Sequence, residues 1–327
     1  LKKFKRFERL KKILFSLFLS AVFFASCATA PRLPAPIADD VPQVFSLMPA
    51  GGSLYLWADI TAGRPLLDAL YIGGFSASDA AMVIDRTDEA AAVFFGESEE
   101  RRFFIAAMGR YPRHRANYAF AFSRAWRRQR SSYGGTFWTD RNGEIAVSFA
   151  RRLALVSNID PLAQMEIATM PEAFTQIREG SALAGWLVSP SDHINRIIAG
   201  MGVPLQIPAE ELFFAAIRSP TGWTADGSDV EVHEALWELT FKVRTPSAFH
   251  AGLLTMLFTQ ARHLVLQAAA HAAQMSVETQ ALSFQNAAVM LFSNVPEQDG
   301  EFLTIRIDSL SENDISLLFA LFSVYSN

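Results

Sequence analysis

The chain has almost no cysteine: Cys27 is the only one in 327 residues. No intramolecular disulfide can form, so packing must hold the fold even in an oxidising compartment. Catalytic signatures are lacking as well. No GxSxG marks a nucleophile elbow, no GxxxxGK[ST] a phosphate loop, no HExxH a zinc protease, and no GxGxxG follows a strand. His233 and Glu234 begin a metalloprotease-like run but continue as Ala235, Leu236 and Trp237 on an expected strand. The histidines number six. His263 and His271 stand on one expected helix, about 12 Å apart along its axis, too far to share a metal, and His250 is farther still. These three are expected on a polar face with Thr255, Thr259 and Gln267. Asp59, Asp68, Asp79, Asp85, Asp88 and Glu89 crowd the start of the domain, but no spacing singles out an acid–base pair, so solvated surface is the expectation. Catalytic residues, metal ligands and bound cofactors are therefore all expected to be none.

What is present begins with an export signal. Lys2, Lys3, Lys5, Arg6, Arg9, Lys11 and Lys12 oppose a single Glu8, a basic opening that an anionic cytoplasmic leaflet would retain. Residues 13–25 are apolar but shorter than the ~20 residues a spanning helix needs. The run ends Phe24, Ala25, Ser26, Cys27. This ending resembles the lipobox of bacterial lipoproteins, of a loose, spirochaete-like kind because Phe24 stands where leucine is usual. The resemblance implies that residues 1–26 are cleaved and that Cys27 carries diacylglycerol on sulfur and an acyl chain, palmitate-like, on its amine. Ala28 follows instead of an acidic residue, which implies the outer membrane, at its periplasmic face or surface, over the inner membrane. The competing reading is a cut elsewhere and an ordinary buried Cys27.

Of the 29 basic and 33 acidic residues, seven and one lie in the leader, so the remainder carries about −10. An exported acidic chain makes nucleic acid an unexpected partner. Residues 27–47 include Pro31, Pro34, Pro36 and Pro42 without hydrophobic periodicity, and read as a semi-rigid tether. Two globular halves are expected after it, 48–179 and 180–327.

In the first half the patterns predict strands at 53–60, 89–96, 101–110, 135–139, 144–149 and 153–158, with helices at 64–71 and 113–130. In the second they predict strands at 182–189, 212–219, 232–244, 281–284, 287–293 and 301–307, with helices at 192–201, 247–274 and 313–325. GRYPRHRANYAF and VRTPSAFHAGLL both run strand, proline, helix, and LALVSNIDP parallels VMLFSNVPE. The fold class is therefore α+β, two similar halves, each an antiparallel sheet backed by helices, with an internal duplication expected. MPAGGSLYLWADI, residues 48–60, also resembles the opening of uncharacterised exported bacterial proteins, which implies architecture and no activity.

Two features suggest contact surfaces. Residues 97–152 hold twelve arginines and five acids, whereas 180–327 hold six basic residues and fifteen acids. Arg113, Arg115, Arg124, Arg127, Arg128 and Arg130 belong to the expected helix 113–130 or its edge, and could meet lipid headgroups, anionic glycans or an acidic partner. The alternative is pairing of the basic half with the acidic half. On the long helix Leu253, Leu257, Ala261, Leu264, Ala268, Ala272 and Met275 form a stripe, widened by Leu254, Phe258 and Val265. The terminal helix, opened by a capping-box spacing of Ser311 and Asp314, is apolar nearly all round. Its Leu318, Phe319, Leu321 and Phe322 could contact lipid or a partner. Three functions remain open: a noncatalytic binding or scaffold module anchored in the envelope, a lipid-binding or leaflet-inserting lipoprotein, and an envelope enzyme of unrecognised class.

Overall fold

The computed structural model describes residues 43–66, 85–96, 102–150, 152–192, 195, 208–219, 236–272, 289–290, 292 and 294–315. The leader, Cys27, most of the expected tether, His233, Glu234, Asp68, Asp79, residues 281–284, and Leu318, Phe319, Leu321 and Phe322 lie outside them. Two compact units divide the chain: Leu1–Arg64 with Tyr71–Met170, and Pro65–Leu70 with Pro171–Asn327.

In the first unit a 3-10 turn, Val44–Leu47, precedes β1 (Leu54–Asp59), β2 (Thr87–Phe95) and β3 (Arg102–Gly109). Helix α1 (Arg113–Phe122) follows, then β4 (Trp126–Arg130), β5 (Thr136–Asp140), β6 (Ala146–Ala150) and β7 (Leu153–Ser157). Their order is β1-β2-β3-β7-β6-β5-β4, with every pairing antiparallel. Val44 and Phe45 are buried, and Phe45 lies 6.3 Å from the Tyr55 ring. Residues 43–47 thus belong to the domain, not to a tether running to 47. The Tyr55 hydroxyl accepts from Gly52 N–H at 2.9 Å and donates to the Pro49 carbonyl at 3.0 Å, tying this turn to β1.

The second unit starts with α2 (Glu172–Arg178), then β8 (Leu183–Val188), β9 (Glu211–Arg218), β10 (Trp237–Arg244), α3 (Ala248–Ala272), β11 (Glu297–Asp299) and β12 (Phe302–Leu310). Their order is β8-β9-β10-β12-β11, again antiparallel throughout. Phe174 of α2 is fully buried against Trp186. Leu254 of α3 packs with Val243 and Leu303, and the cross-strand register puts these on the sheet face opposite Trp186.

The molecule is mostly antiparallel sheet, and its few helices cover parts of the sheet faces. Further points differ from expectation. The helix drawn over 113–130 stops at Phe122. Val289 and Met290 are helical, not part of a strand at 287–293; a short apolar run fits either period. Helix α2 and strand β11 were not foreseen: α2 buries only Phe174, and β11 is three exposed polar residues. Finally, the α3 stripe is rotated. Ala251 and Leu254 are buried while Leu253 and Leu264 are exposed, because a helix apolar over most of its surface does not declare which side packs.

A bulge between Thr87 and Glu89 marks the start of β2. Gly109 sits against it so closely that a Cβ would lie 1.9 Å from the Arg86 carbonyl oxygen, and that oxygen accepts Arg110 N–H at 2.7 Å. Gly109→Ala is expected to destabilise the protein by at least about 2 kcal/mol in denaturant unfolding, because backbone must move to admit the methyl. An unchanged midpoint would mean that the bulge is loosely held.

Candidate functional site

The expected arginine face is assembled from a helix, a turn and a strand. Ser123 N–H bonds to the Ala119 and Phe120 carbonyls, the Ser123 hydroxyl accepts Ala125 N–H at 3.2 Å, and Trp126 N–H reaches the Ser123 carbonyl at 3.4 Å. Serine's local bonding competes with helix continuation. Burial decides the outcome. A continued helix would set Trp126 on the row of Tyr118 and Phe122, which are 68% and 72% exposed. As a strand residue it is buried instead, edge-on to Phe120 at 4.6 Å, within a cluster of Phe103, Ala116, Phe120, Trp138, Ile145 and Val147. Trp138 also donates through Nε1 to Asn117 Oδ1 at 2.8 Å, fastening α1 to β5.

Arg124 stands in the turn and Arg127, Arg128 and Arg130 on β4, all exposed. Arg128 faces Trp138 and Arg130 faces Thr136 across the ladder, whereas Arg127 faces Thr139. Arg128 and Arg130 therefore share the α1 side of the sheet, and Arg127 projects from the other. Arg113 and Arg115 open α1. Arg128 reaches the Thr136 hydroxyl at 3.4 Å. Among the described residues none of Arg124, Arg127, Arg128 and Arg130 meets a carboxylate. The ion pairs seen there are Arg64–Asp85, Arg152–Asp88, Arg244 with Glu210 and Glu211, and Arg306–Glu297. Each joins residues of one unit, so the described pairs do not neutralise a basic half with an acidic half.

Asp59, Asp85, Asp88 and Glu89 at the start of the domain make local contacts. Asp59 caps the turn at Ala62 N–H, 2.9 Å away, and Glu89 accepts the Trp57 indole N–H. In the second unit Glu211 accepts the Trp186 indole at 3.0 Å. Arg244 Nε lies 3.0 Å from Glu211 Oε2 with its N–H aimed elsewhere, so that contact is charge attraction and not an aligned hydrogen bond. His250 pairs with the Ser247 hydroxyl and His263 with Gln267. No cluster of three metal-ligating side chains occurs among the described residues.

On α3, Phe249, Leu253, Met256 and Leu264 are exposed, and at 100° per residue they fall on one side of the helix. Residue spacing pointed to an apolar stripe there but not to its exposure. No described helix is long and apolar enough to cross a membrane. The Ser311–Asp314 capping box forms: Asp314 Oδ2 accepts Ser311 N–H at 2.9 Å, and Ser311 Oγ accepts Asp314 N–H at 3.2 Å.

No protein-family model matches the chain, and no characterised protein matches it in sequence. Solved structures do. Crystal form III of TP0453 superposes with a TM-score of 0.54 at 14% identity, covering 86% of this chain and 98% of that one. The fold resembles that of TP0453. Crystal form I gives 0.53 over 87% and 100%, and form IV gives 0.52 over 85% and 96%, both at 14% identity. Nearly the whole of TP0453 is thus matched in fold by most of this chain, and at this identity the likeness extends to the fold alone.

One titrating group lies near the β2 bulge. The Tyr111 hydroxyl shares a 2.8 Å hydrogen bond with Thr87 Oγ1. Burial pushes its pKa up to about 12; the Thr87 bond opposes the shift, and the Asp88 charge adds to it. A phenol with a raised folded-state pKa contributes stability that is complete below its unfolded value of about 10 and lost as pH climbs through 12. Tyr111→Phe should flatten the fall of unfolding free energy between about pH 10 and 12, leaving the part due to Tyr55, which burial also raises. An unaltered alkaline slope in denaturant titrations would refute this assignment.

Proposed function

We propose that this protein is a lipid-anchored lipoprotein of the cell envelope whose domain works as a noncatalytic binding or scaffold module. Cys27 would carry the diacylglycerol and N-acyl chains, and the outer membrane is favoured because no acidic residue follows it. The observation that carries the binding role is the bare arginine edge: Arg124, Arg127, Arg128 and Arg130 are exposed without a carboxylate partner among the described residues. Four guanidinium groups of one sign on a strand and its turn make an electrostatic surface for an anionic partner.

Internal duplication belongs to the same proposal. Three features support it. Each unit runs as a short helical turn, a three-strand meander, a proline, a helix and a final strand returning to the third. Pro112 and Pro246 occupy the matching junctions. Trp57 with Glu89 and Trp186 with Glu211 make the same indole–carboxylate bond, each carboxylate two residues from the one opposite the tryptophan.

A second reading is favoured by the exposed side of α3. Phe249, Leu253, Met256 and Leu264 would suit contact with lipid, joined by Leu318, Phe319, Leu321 and Phe322 of the terminal segment.

Cell fractionation tests the anchor and in-cell photo-crosslinking tests the module. Cys27→Ser should move the protein out of the membrane fraction. A photoreactive residue at Tyr133 should give discrete adducts that the triple reversal Arg127→Glu, Arg128→Glu, Arg130→Glu abolishes without altering circular dichroism. Adducts that survive the reversal would sink the arginine edge as the binding surface. If Cys27→Ser protein floats with anionic vesicles and Leu264→Ser ends this, the lipid reading gains.

A further inference from the structure

We propose that β4 is a docking edge for an extended acidic segment of a partner protein, which adds to the sheet as a further strand. This rests on the binding-module reading and names the partner's chemistry.

The first ground is hydrogen-bonding capacity. β4 is the last strand of its sheet. Ser131 N–H donates to the Gly135 carbonyl at 3.3 Å, which marks that pair as bonded. In an antiparallel ladder bonded pairs alternate, so Gln129 and Arg127 exchange bonds with Phe137 and Thr139, and the N–H and C=O groups of Arg128 and Arg130 turn outward. The register with β5 contains no bulge, and the strand no proline. Bulges and prolines are usual devices for closing an edge.

Charge is the second ground, and it selects the occupant. Three of the five β4 residues are arginine and none is acidic. A second copy presenting its own β4 would be repelled, whereas a carboxylate-bearing strand would gain forked hydrogen bonds at each guanidinium. The faces set the pattern. Arg128 and Arg130 lie on the α1 side and Arg127 on the other, so an antiparallel partner needs Glu-x-Glu-Glu opposite Arg130 to Arg127. Strand addition provides affinity through backbone bonds and specificity through alternate side chains.

The probe is a synthetic peptide, Thr-Val-Glu-Thr-Glu-Glu-Val-Thr with blocked ends, titrated against the purified protein by fluorescence anisotropy and by amide hydrogen exchange. Saturation should slow exchange across 126–130 and leave α1 unchanged. N-methylation of the peptide's alternate amides on the bonding edge should abolish binding at equal charge. Arg128→Glu should weaken it by at least about tenfold. If the N-methylated peptide binds as well as its parent, strand addition is overturned, although the anionic-partner reading survives. If the peptide does not bind but phosphatidylglycerol vesicles do, and the triple reversal ends it, the surface belongs to lipid and the protein-segment proposal fails. Binding of neither, with the protein folded, overturns both and leaves the arginines as a guard against edge aggregation.

Discussion

Pro112 and Pro246 impose the constraint on which the strand order of each unit depends. Each stands just past the third strand of its unit, and each is followed within two residues by a helix. A proline has no N–H to donate into a ladder, and its fixed φ suits the first turn of a helix. The chain must leave the sheet there, and the open side of the third strand is then closed by a strand arriving from later in sequence. β7 fills that place in the first unit and β12 in the second. The described strands between the helix and the returning strand extend the sheet outward. Among the described residues three strands intervene in the first unit, which ends on β4, and one in the second, which ends on β11.

The difference in outer strands explains how α1 and α3 are covered. α1 spans ten residues and packs through Ala116 and Phe120 into a cluster built largely from outer strands, with Trp126, Trp138, Ile145 and Val147. Among the described residues the second unit has one strand, β11, outside β12. α3 is 25 residues long, and its deeply buried residues, Ala251 and Leu254, lie in its first two turns. Farther along, Phe258 still meets Phe292, 4.5 Å between ring centroids, but Met256 and Leu264 face outward. Exposed apolar side chains on α3 follow from a helix longer than the sheet beneath it.

Strands that alternate were legible in the sequence. LYLWAD and RFFIAAMG are found within one residue of their expected bounds, and the strand expected at 232–244 is found as WELTFKVR, Trp237–Arg244, with 232–235 outside the described residues. The arginine segment was not. RHRANYAFAFSRAWRRQR has no proline or glycine to stop a helix, and its arginines are good helix formers. The stop is tertiary: Trp126 finds Phe120 and Trp138, a site that exists only once β5 has folded beside it. Sequence periodicity records what a residue prefers next to its chain neighbours, and cannot register a pocket made by residues a dozen positions later. The arginines stand out by charge, yet Arg124, Arg127, Arg128 and Arg130 lie on a turn and a strand instead of the expected helix, and the edge character of β4 was therefore invisible. The likeness of LALVSNIDP to VMLFSNVPE misled for a related reason. The first is β7, while Val289 and Met290 of the second are helical.

The two units treat their outermost strands in opposite ways. β11 is short and acidic, and its own surroundings occupy it. Glu297 pairs with Arg306 at 3.3 Å, and Gln298 donates to the Ala248 carbonyl at the start of α3 at 2.9 Å. Helix, ion pair and side-chain amide together leave little for another strand to bind. β4 is longer, regular and basic, and its arginines meet no carboxylate among the described residues. Charged side chains are one of the usual means by which an edge resists aggregation. Three unneutralised arginines concentrate charge beyond that need, at the price of mutual repulsion that an acidic neighbour would relieve. That unrelieved repulsion is the physical ground on which the proposal of an acidic partner at β4 rests.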